Sequence, residues 1–113
     1  MTVEVQDQAQ VVVVHVVEEA RGQRAVLEGR IDVHTVADLR LALHRLIDSS
    51  DGLLILDLLD AEIGDAVALG MLVECHRRSR RAGRMMVFDN VCERGARLLR
   101  AVRLHPPSPA ATV

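Results

Sequence analysis

The strongest candidate for a chemical site in this sequence is a predicted junction between a strand and a helix, AEIGDAVALGML at residues 61–72. The first amides of a helix have no intrahelical partners and attract anions, so side chains at such junctions often bind charged groups. Asp65 stands where its carboxylate would cap the helix. Small apolar residues follow it, and no Ser, Thr, Cys or Lys is present at the helix start. The junction therefore offers a cap but no nucleophile.

A second group of polar residues, Asp32, His34 and Thr35, follows the predicted strand that ends at Ile31. Asp32 could simply close the turn after this strand. The Thr35 hydroxyl could cap the next helix by accepting from an amide of its first turn, with Asp38 in a box-like position. Loops at strand ends also form binding surfaces, and this role stays open for Asp32.

The two cysteines, Cys75 and Cys92, lie far apart in the sequence and lack the spacing of metal ligands. Cys92 is predicted in the first turn of a helix, where the helix dipole favours a thiolate, whereas Cys75 is predicted to face the core and be inert. Two free thiols are the simpler expectation. A redox-sensitive disulfide is the alternative, and it requires Cα atoms closer than ~7 Å. The five histidines form no close pairs, so we expect neither a metal site nor a cofactor.

The basic run HRRSRR at residues 76–81 could bind nucleic acid or phosphate, or present Ser79 to a kinase. We favour a solvated helix end, because cations are favourable at a helix C-terminus. The net charge of −2 and the single aromatic residue, Phe88, give no general reason to expect a nucleic-acid partner. No Gly-rich phosphate loop and no nucleophile with a matching base is present in the sequence, so we expect no enzyme.

Hydrophobic spacing predicts a single α/β domain with the order β-β-α-β-α-β-α. The predicted strands cover residues 11–17, 24–31, 53–58 and 84–89, and the first two form a hairpin. The strand at residues 53–58 is apolar without alternation, as expected for a strand that is covered on both faces. The predicted helices begin after Thr35, after Asp65 and near Glu93. Their expected inward residues are Val36, Leu39, Leu43, Leu46 and Ile47 in the first, Leu69, Leu72, Val73 and His76 in the second, and Ala96, Leu99 and Val102 in the third.

These elements predict a mixed, mostly parallel four-stranded sheet flanked by helices. We expect residues 1–10 to be a flexible N-terminus, residues 11–104 to be the domain and residues 105–113 to be a Pro-rich flexible tail. The apolar run VVVVHVV is too short to span a bilayer and follows acidic residues, so we expect a cytoplasmic protein with no membrane partner.

The chain has three motif-like segments, at residues 28–39, 53–72 and 81–104. In this order they resemble the STAS domain, the family of bacterial anti-sigma factor antagonists that also forms the cytoplasmic part of sulphate transporters. EGRIDVHTVADL at residues 28–39 resembles the family's Gly-x-Leu-Asp-x-x-Thr segment. LLILDLLDAEIGDAVALGML at residues 53–72 resembles its strand, Asp and loop that lead to Asp-Ser-Ser-Gly-Leu-Gly at a helix start. RAGRMMVFDNVCERGARLLRAVRL at residues 81–104 resembles its third segment. The resemblance covers residues 11–104.

Within the second segment, the resemblance places Asp65, Leu69 and Gly70 on the family's Asp, Leu and second Gly. Ala66 replaces the first Ser, Val67 replaces the Ser that is phosphorylated in the family, and Ala68 replaces the first Gly. In the family the unphosphorylated antagonist binds an anti-sigma factor that is also a kinase, and phosphorylation separates the two. The resemblance therefore implies a partner-binding surface that lacks its phosphoacceptor, composed of Asp32, His34, Thr35, Asp65, Ala66, Val67, Leu69 and Gly70.

The expected function is an anti-sigma factor antagonist in transcription and stress regulation, either constitutive or regulated by other means, with a kinase-type or other anti-sigma factor as partner. One alternative is a scaffolding or regulatory STAS subunit of a larger signalling assembly. A nucleotide-binding or hydrolytic domain is a third hypothesis. The family continues with another strand and helix where this chain has its Pro-rich tail, so an uncovered apolar patch and a homodimer are further expectations.

Overall fold

The computed structural model describes residues 2–7, 10–20 and 22–105, with side chains described from residue 11 onward. The predicted flexible tail lies outside the described residues apart from His105. The elements in chain order are β1 (Thr2–Asp7), β2 (Gln10–Glu19), β3 (Gly22–Ile31), α1 (Val36–Asp48), β4 (Leu53–Ile63), α2 (Ala66–Arg81), β5 (Met85–Asp89) and α3 (Glu93–Ala101).

The strands form one mixed sheet in the order β1-β2-β3-β4-β5. The β1–β2 and β2–β3 pairs are antiparallel, and the β3–β4 and β4–β5 pairs are parallel. The predicted element order is confirmed from β2 onward, and two of the three pairs among the four predicted strands are parallel. The sheet thus has the predicted α/β architecture.

β1 is an addition to the predicted sheet. It forms from Thr2–Asp7, within the segment expected to be a flexible N-terminus, and pairs with β2 along its whole length. Val3 and Val5 alternate with polar residues, which favours a strand, but six residues form one only when a neighbour supplies the backbone hydrogen bonds. The expectation of a flexible segment is therefore wrong for these residues.

The main core lies between one face of the sheet and the helices. α1 and α2 pack against each other, and α2 also contacts β5. All five residues predicted to face inward from α1 are buried. The sheet contributes side chains at alternate positions, as a pleated strand requires, namely Val12, Val14, Ala25, Leu27, Leu54, Leu56, Met86 and Phe88.

The inward face of α2 differs from the prediction. Leu72 is buried as expected, whereas Leu69, Val73 and His76 are only half-buried. The buried positions are instead Ala68, Met71, Leu72, Cys75 and Ser79. Small side chains at three of these positions allow α2 to approach its neighbours closely, and hydrophobicity alone does not reveal this.

The second face of β4 is covered at Ile55 and Asp57 by an ionic cluster rather than by a helix. Arg24 is the register partner of Ile55, and its guanidinium donates to Asp57 and Asp89, both at 2.9 Å, and to Glu19 at 2.6 Å. Ile55 and Asp57 are accordingly buried. The prediction of a strand buried on both faces holds for these residues, and charged side chains provide the second cover.

Candidate functional site

Two loops meet where the parallel strands β3 and β4 end at the same edge of the sheet. The register pairs Ile31 with Ile63, and the Gly64 amide donates to the Ile31 carbonyl at 2.7 Å. A Cβ at Gly64 would lie 2.9 Å from that carbonyl oxygen, so the close approach requires glycine. The loop after β3 and the start of α2 are therefore neighbours.

Asp65 connects these two loops. It is the N-cap of α2, as predicted, and its Oδ1 accepts from the Ala68 amide at 2.9 Å. Its Oδ2 accepts from the Val33 amide, also at 2.9 Å, in the loop after β3. The Ala68 and Val33 amides lower the pKa of Asp65 because they stabilise its ionised form. One carboxylate thus caps a helix and holds the neighbouring loop.

Asp32 closes the turn after β3, which is the simpler of its two predicted roles. Its Oδ1 accepts from the His34 amide at 2.9 Å, and its Oδ2 accepts from Arg30 Nε at 3.2 Å. Its backbone carbonyl accepts from the amides of Thr35 and Val36 at the start of α1. Only 4% of Asp32 is exposed, so the carboxylate shapes the loop from below its surface.

Thr35 occupies the N-cap position of α1, but the predicted capping hydrogen bond is wrong. Its side chain makes no cap, and its backbone has helical angles, φ −111° and ψ −13°, instead of the extended ones that a capping side chain requires. The hydroxyl accepts from the Asp32 amide at 3.1 Å and lies 3.3 Å from the Arg30 carbonyl oxygen. Thr35 is buried and ties the loop together from within.

The outer surface of the two loops is mostly apolar. Val33 is 57% exposed and Val67 is 47% exposed. His34, Ala66 and Gly70 are also exposed, whereas Leu69 is half-buried. A Cβ at Gly70 would meet no atom within 4 Å, so this position leaves open space on α2. We call the exposed residues Val33, His34, Ala66, Val67 and Gly70 the docking surface, after the role that is proposed for them below.

Charged residues lie beside the docking surface. The Arg30 guanidinium donates to Glu62 at 3.0 Å and to the Gly64 carbonyl at 3.1 Å, in addition to Asp32. Arg30 and Val33 are the site residues that the sequence reasoning missed. The parallel pairing of β3 with β4 identifies Arg30 as part of the site, because it makes Arg30 the register partner of Glu62.

The two cysteines are free and lie in opposite environments. Cys75 is fully buried, as predicted, and burial together with the charge of Glu74 raises its pKa to about 12. Cys92 is exposed and is the N-cap of α3, where its Sγ accepts from the Gly95 amide at 3.4 Å. A disulfide between Cys75 and Cys92 stays a prediction.

The basic end of α2 lies at the protein surface, as expected for a solvated helix end, and binding of nucleic acid or phosphate by this run stays a prediction. Arg77, Arg80 and Arg81 are exposed, and Arg78 donates to Asp48 of α1 at 2.7 Å. Ser79 is fully buried, so a kinase cannot reach its hydroxyl in the folded protein. The alternative in which this run presents Ser79 for phosphorylation is wrong for that reason.

The chain belongs to the STAS domain family, whose model matches residues 3–109. The fold is similar to the crystal structure of an anti-sigma factor antagonist STAS domain from Rhodobacter sphaeroides, with a TM-score of 0.60 and 20% identity over 73% of this chain and 88% of that chain. It is also similar to the crystal structure of an anti-sigma factor antagonist from Mycobacterium paratuberculosis, with a TM-score of 0.68 and 19% identity over 89% of this chain and 91% of that chain. No curated protein sequence matches significantly.

The helices offer no membrane span. In the described part of the chain, none is both long enough and apolar enough to cross a bilayer.

Proposed function

We propose that this protein is a cytoplasmic anti-sigma factor antagonist that binds its anti-sigma factor through the docking surface, without a phosphorylation switch at the start of α2. The observation that carries the proposal is the exposed Val67 at the second position of α2, beside the capping Asp65. The resemblance places the family's phosphorylated Ser at this position. Two solved structures with the same fold are described as anti-sigma factor antagonists, which supports the same class of partner.

The physical case for docking rests on an exposed apolar surface above a fixed polar base. Val33 and Val67 expose about half of their surface, and covering such side chains yields roughly 25 cal/mol per Å² of apolar area. Asp65 and Asp32 are occupied by backbone amides, so a partner need not desolvate an unpaired carboxylate. The surface is therefore suited to a protein partner.

The missing hydroxyl supports the regulatory part of the proposal. A phosphate at the position of Val67 would add a charge of about −1.5 to −2. The carboxylate of Asp65 would repel this charge, and a contact on the apolar surface would deprive it of water. Val67 and Ala66 have no oxygen that could accept a phosphoryl group. The complex is therefore constitutive or is controlled through another part of the system.

Co-purification with the anti-sigma factors of the same cell, followed by titration calorimetry, tests the proposal. We expect Val67→Asp to weaken binding by about a hundredfold or more, because it places a charge in a buried apolar contact. Met85→Asp is the matched control. Met85 is an equally apolar residue, 67% exposed, and it lies at the start of β5 beside the first residue of β4, at the opposite edge of the sheet.

Incubation of the complex with ATP separates the docking proposal from its regulatory part. We expect no phosphate on residues 65–70 of the natural chain, and with a kinase-type partner we expect phosphate on Val67→Ser. Phosphate at this helix start in the natural chain would overturn the missing switch. Failure to bind any anti-sigma factor would overturn the proposal, and capture of other STAS chains instead would favour the scaffolding alternative. The molecular mass of the protein in solution, without a partner, tests the predicted homodimer.

A further inference from the structure

A polar cluster that the docking surface does not use lies between α1 and α2. His44 Nε2 is 2.7 Å from Glu74 Oε2, and a ring nitrogen of His44, a carboxylate oxygen of Glu74 and Cys75 Sγ all lie within 4.8 Å of one another. His44 is the ninth residue of α1, counted from Val36, and Glu74 is the ninth of α2, counted from Ala66. The packing of the two helices therefore brings together residues that are 30 positions apart in the sequence.

The three side chains offer an imidazole nitrogen, a carboxylate oxygen and a sulfur. Zn²⁺ binds this mixture in tetrahedral sites with Zn–N near 2.0 Å and Zn–S near 2.3 Å, which places ligand atoms about 3.3–3.6 Å apart. The His44 and Glu74 atoms would separate by roughly half an ångström to reach this geometry. Rotations of side chains about their single bonds provide movements of this size.

The burial of the cluster fits a metal site with one open coordination position. Cys75 is fully buried and lies against Met71, with 3.6 Å between the two sulfur atoms. The side chains of His44 and Glu74 are 18% and 41% exposed. A metal ion would thus have its sulfur ligand inside the protein and its fourth position, facing solvent, available to water.

Neighbouring charges largely cancel around the cluster. Arg78 acts electrostatically on Cys75 and Glu74, but its guanidinium is paired with Asp48 at 2.7 Å. Asp48 lies one turn beyond His44 on α1. Arg40 acts on the same two residues of α2 and is exposed, so water screens its charge.

We propose that His44, Glu74 and Cys75 form a binding site for Zn²⁺ that connects α1 to α2, with water as the fourth ligand. Binding forms a Zn–S bond and releases the thiol proton of Cys75 to solvent, with no change of oxidation state. Without metal the thiol stays protonated because of its surroundings, and a divalent cation reverses that preference because it deprotonates a coordinating thiol.

Anaerobic titration with Co²⁺ tests the site, since a Co²⁺–thiolate bond produces a charge-transfer absorption that oxygen and nitrogen ligands do not. We expect this band in the natural protein and its loss when Zn²⁺ displaces Co²⁺. Cys75→Ser should abolish the band, and His44→Gln should weaken Zn²⁺ binding by more than about a hundredfold, which exceeds the usual cost of losing an outer-shell contact. Cys92→Ser is the matched control and should retain both the charge-transfer band and the binding of Zn²⁺.

A second measurement keeps the test decisive if Cys75→Ser folds poorly. Zn²⁺ should raise the thermal midpoint of the natural protein and of Cys92→Ser, and it should not raise that of Glu74→Gln. The proposal is overturned if the natural protein gives no charge-transfer band. It is also overturned if Cys92→Ser removes the band, or if His44→Gln and Glu74→Gln both bind Zn²⁺ as the natural chain does. None of these results depends on the anti-sigma factor.

Discussion

Asp65 carries a charge whose effect on stability depends on pH. The amides of Ala68 and Val33 lower its pKa in the folded protein, so the carboxylate contributes stability above the unfolded pKa of about 3.9, and this contribution is lost as the pH falls through the lower folded value. We expect Asp65→Asn to lower the urea midpoint at neutral pH, with a difference from the natural chain that shrinks below pH of about 4.

Urea unfolding of both chains over the acid range measures this effect. Val67→Ala, a neutral change two residues away, should follow the pH trend of the natural chain and serves as the control. A difference between Asp65→Asn and the natural chain that stays constant throughout the acid range would contradict the role of the carboxylate charge.

Ser79 has a fully buried hydroxyl whose oxygen lacks a hydrogen-bond partner within the described part of the chain. Such a group costs desolvation energy without compensation. We therefore expect Ser79→Ala to leave the free energy of unfolding unchanged or to raise it by up to about 1 kcal/mol, as measured by urea denaturation.

Ser49 provides the comparison, since its hydroxyl donates to the Leu46 carbonyl at 2.8 Å. Ser49→Ala should lower the free energy of unfolding by about 0.5–1.5 kcal/mol. If Ser79→Ala lowers the free energy of unfolding more than Ser49→Ala does, the Ser79 hydroxyl makes a stabilising hydrogen bond after all.

At the scale of elements, Arg84 connects the end of α1 to the sheet. It is buried, and its guanidinium donates to the carbonyls of Leu46, Ile47 and Gly52 and to Gln23 Oε1, at 3.0–3.3 Å. The first two carbonyls belong to the last turn of α1, where the helix offers no further i→i+4 donors, and the Leu46 carbonyl also accepts from the Ser49 amide and hydroxyl. We expect Arg84→Met to lower the free energy of unfolding by about 2–4 kcal/mol.

Chemical denaturation of Arg84→Met beside Arg80→Met measures this contribution. Arg80 is an exposed residue of α2, and its replacement should change stability by less than about 0.5 kcal/mol. Equal stabilities of the two variants would show that water replaces the guanidinium without loss.

Local spacing was sufficient to predict some of these elements. The five inward residues of α1 recur about once per helical turn, and Asp65 caps the turn that follows it. Residues close together in the sequence are therefore sufficient to predict both features. The Arg84 contacts and the meeting of His44 with Glu74 join segments that are 30 or more residues apart. No local pattern contains such contacts, because the packing of whole elements creates them.

The functional site also combines features that the sequence predicts with contacts that only the packing of elements creates. The resemblance identified the start of α2, but it did not show that the Val33 amide binds Asp65 or that Thr35 is buried without capping α1. The first fact follows from the parallel pairing of β3 with β4, and the second from the contacts of the Thr35 hydroxyl with Asp32 and Arg30. The inward face of α2 was mispredicted for a related reason, since small residues became buried where the helix met α1 and the sheet.

For the whole molecule, β1 is a separable edge of the sheet. It pairs with β2 alone among the described strands, and β2 to β5 with their helices enclose the core. We expect a chain without residues 1–9 to keep its helical circular dichroism, with a lower free energy of unfolding. It should also self-associate more, because β2 then becomes an exposed edge.

Sedimentation and circular dichroism of the shortened chain test this expectation. Adding Val11→Lys, a charge at an exposed position in the part of β2 that pairs with β1, should reduce the association, because charged side chains protect strand edges. An unfolded shortened chain would contradict the idea that four strands and three helices suffice.

The contact between Asp65 and the Val33 amide also has a thermodynamic consequence. It fixes the loop after β3 to the start of α2 before any partner arrives. Ordering a loop during association costs free energy, and a rigid surface avoids that cost. The surface proposed for docking is therefore preorganised, and association through it should involve little loss of conformational entropy in this protein.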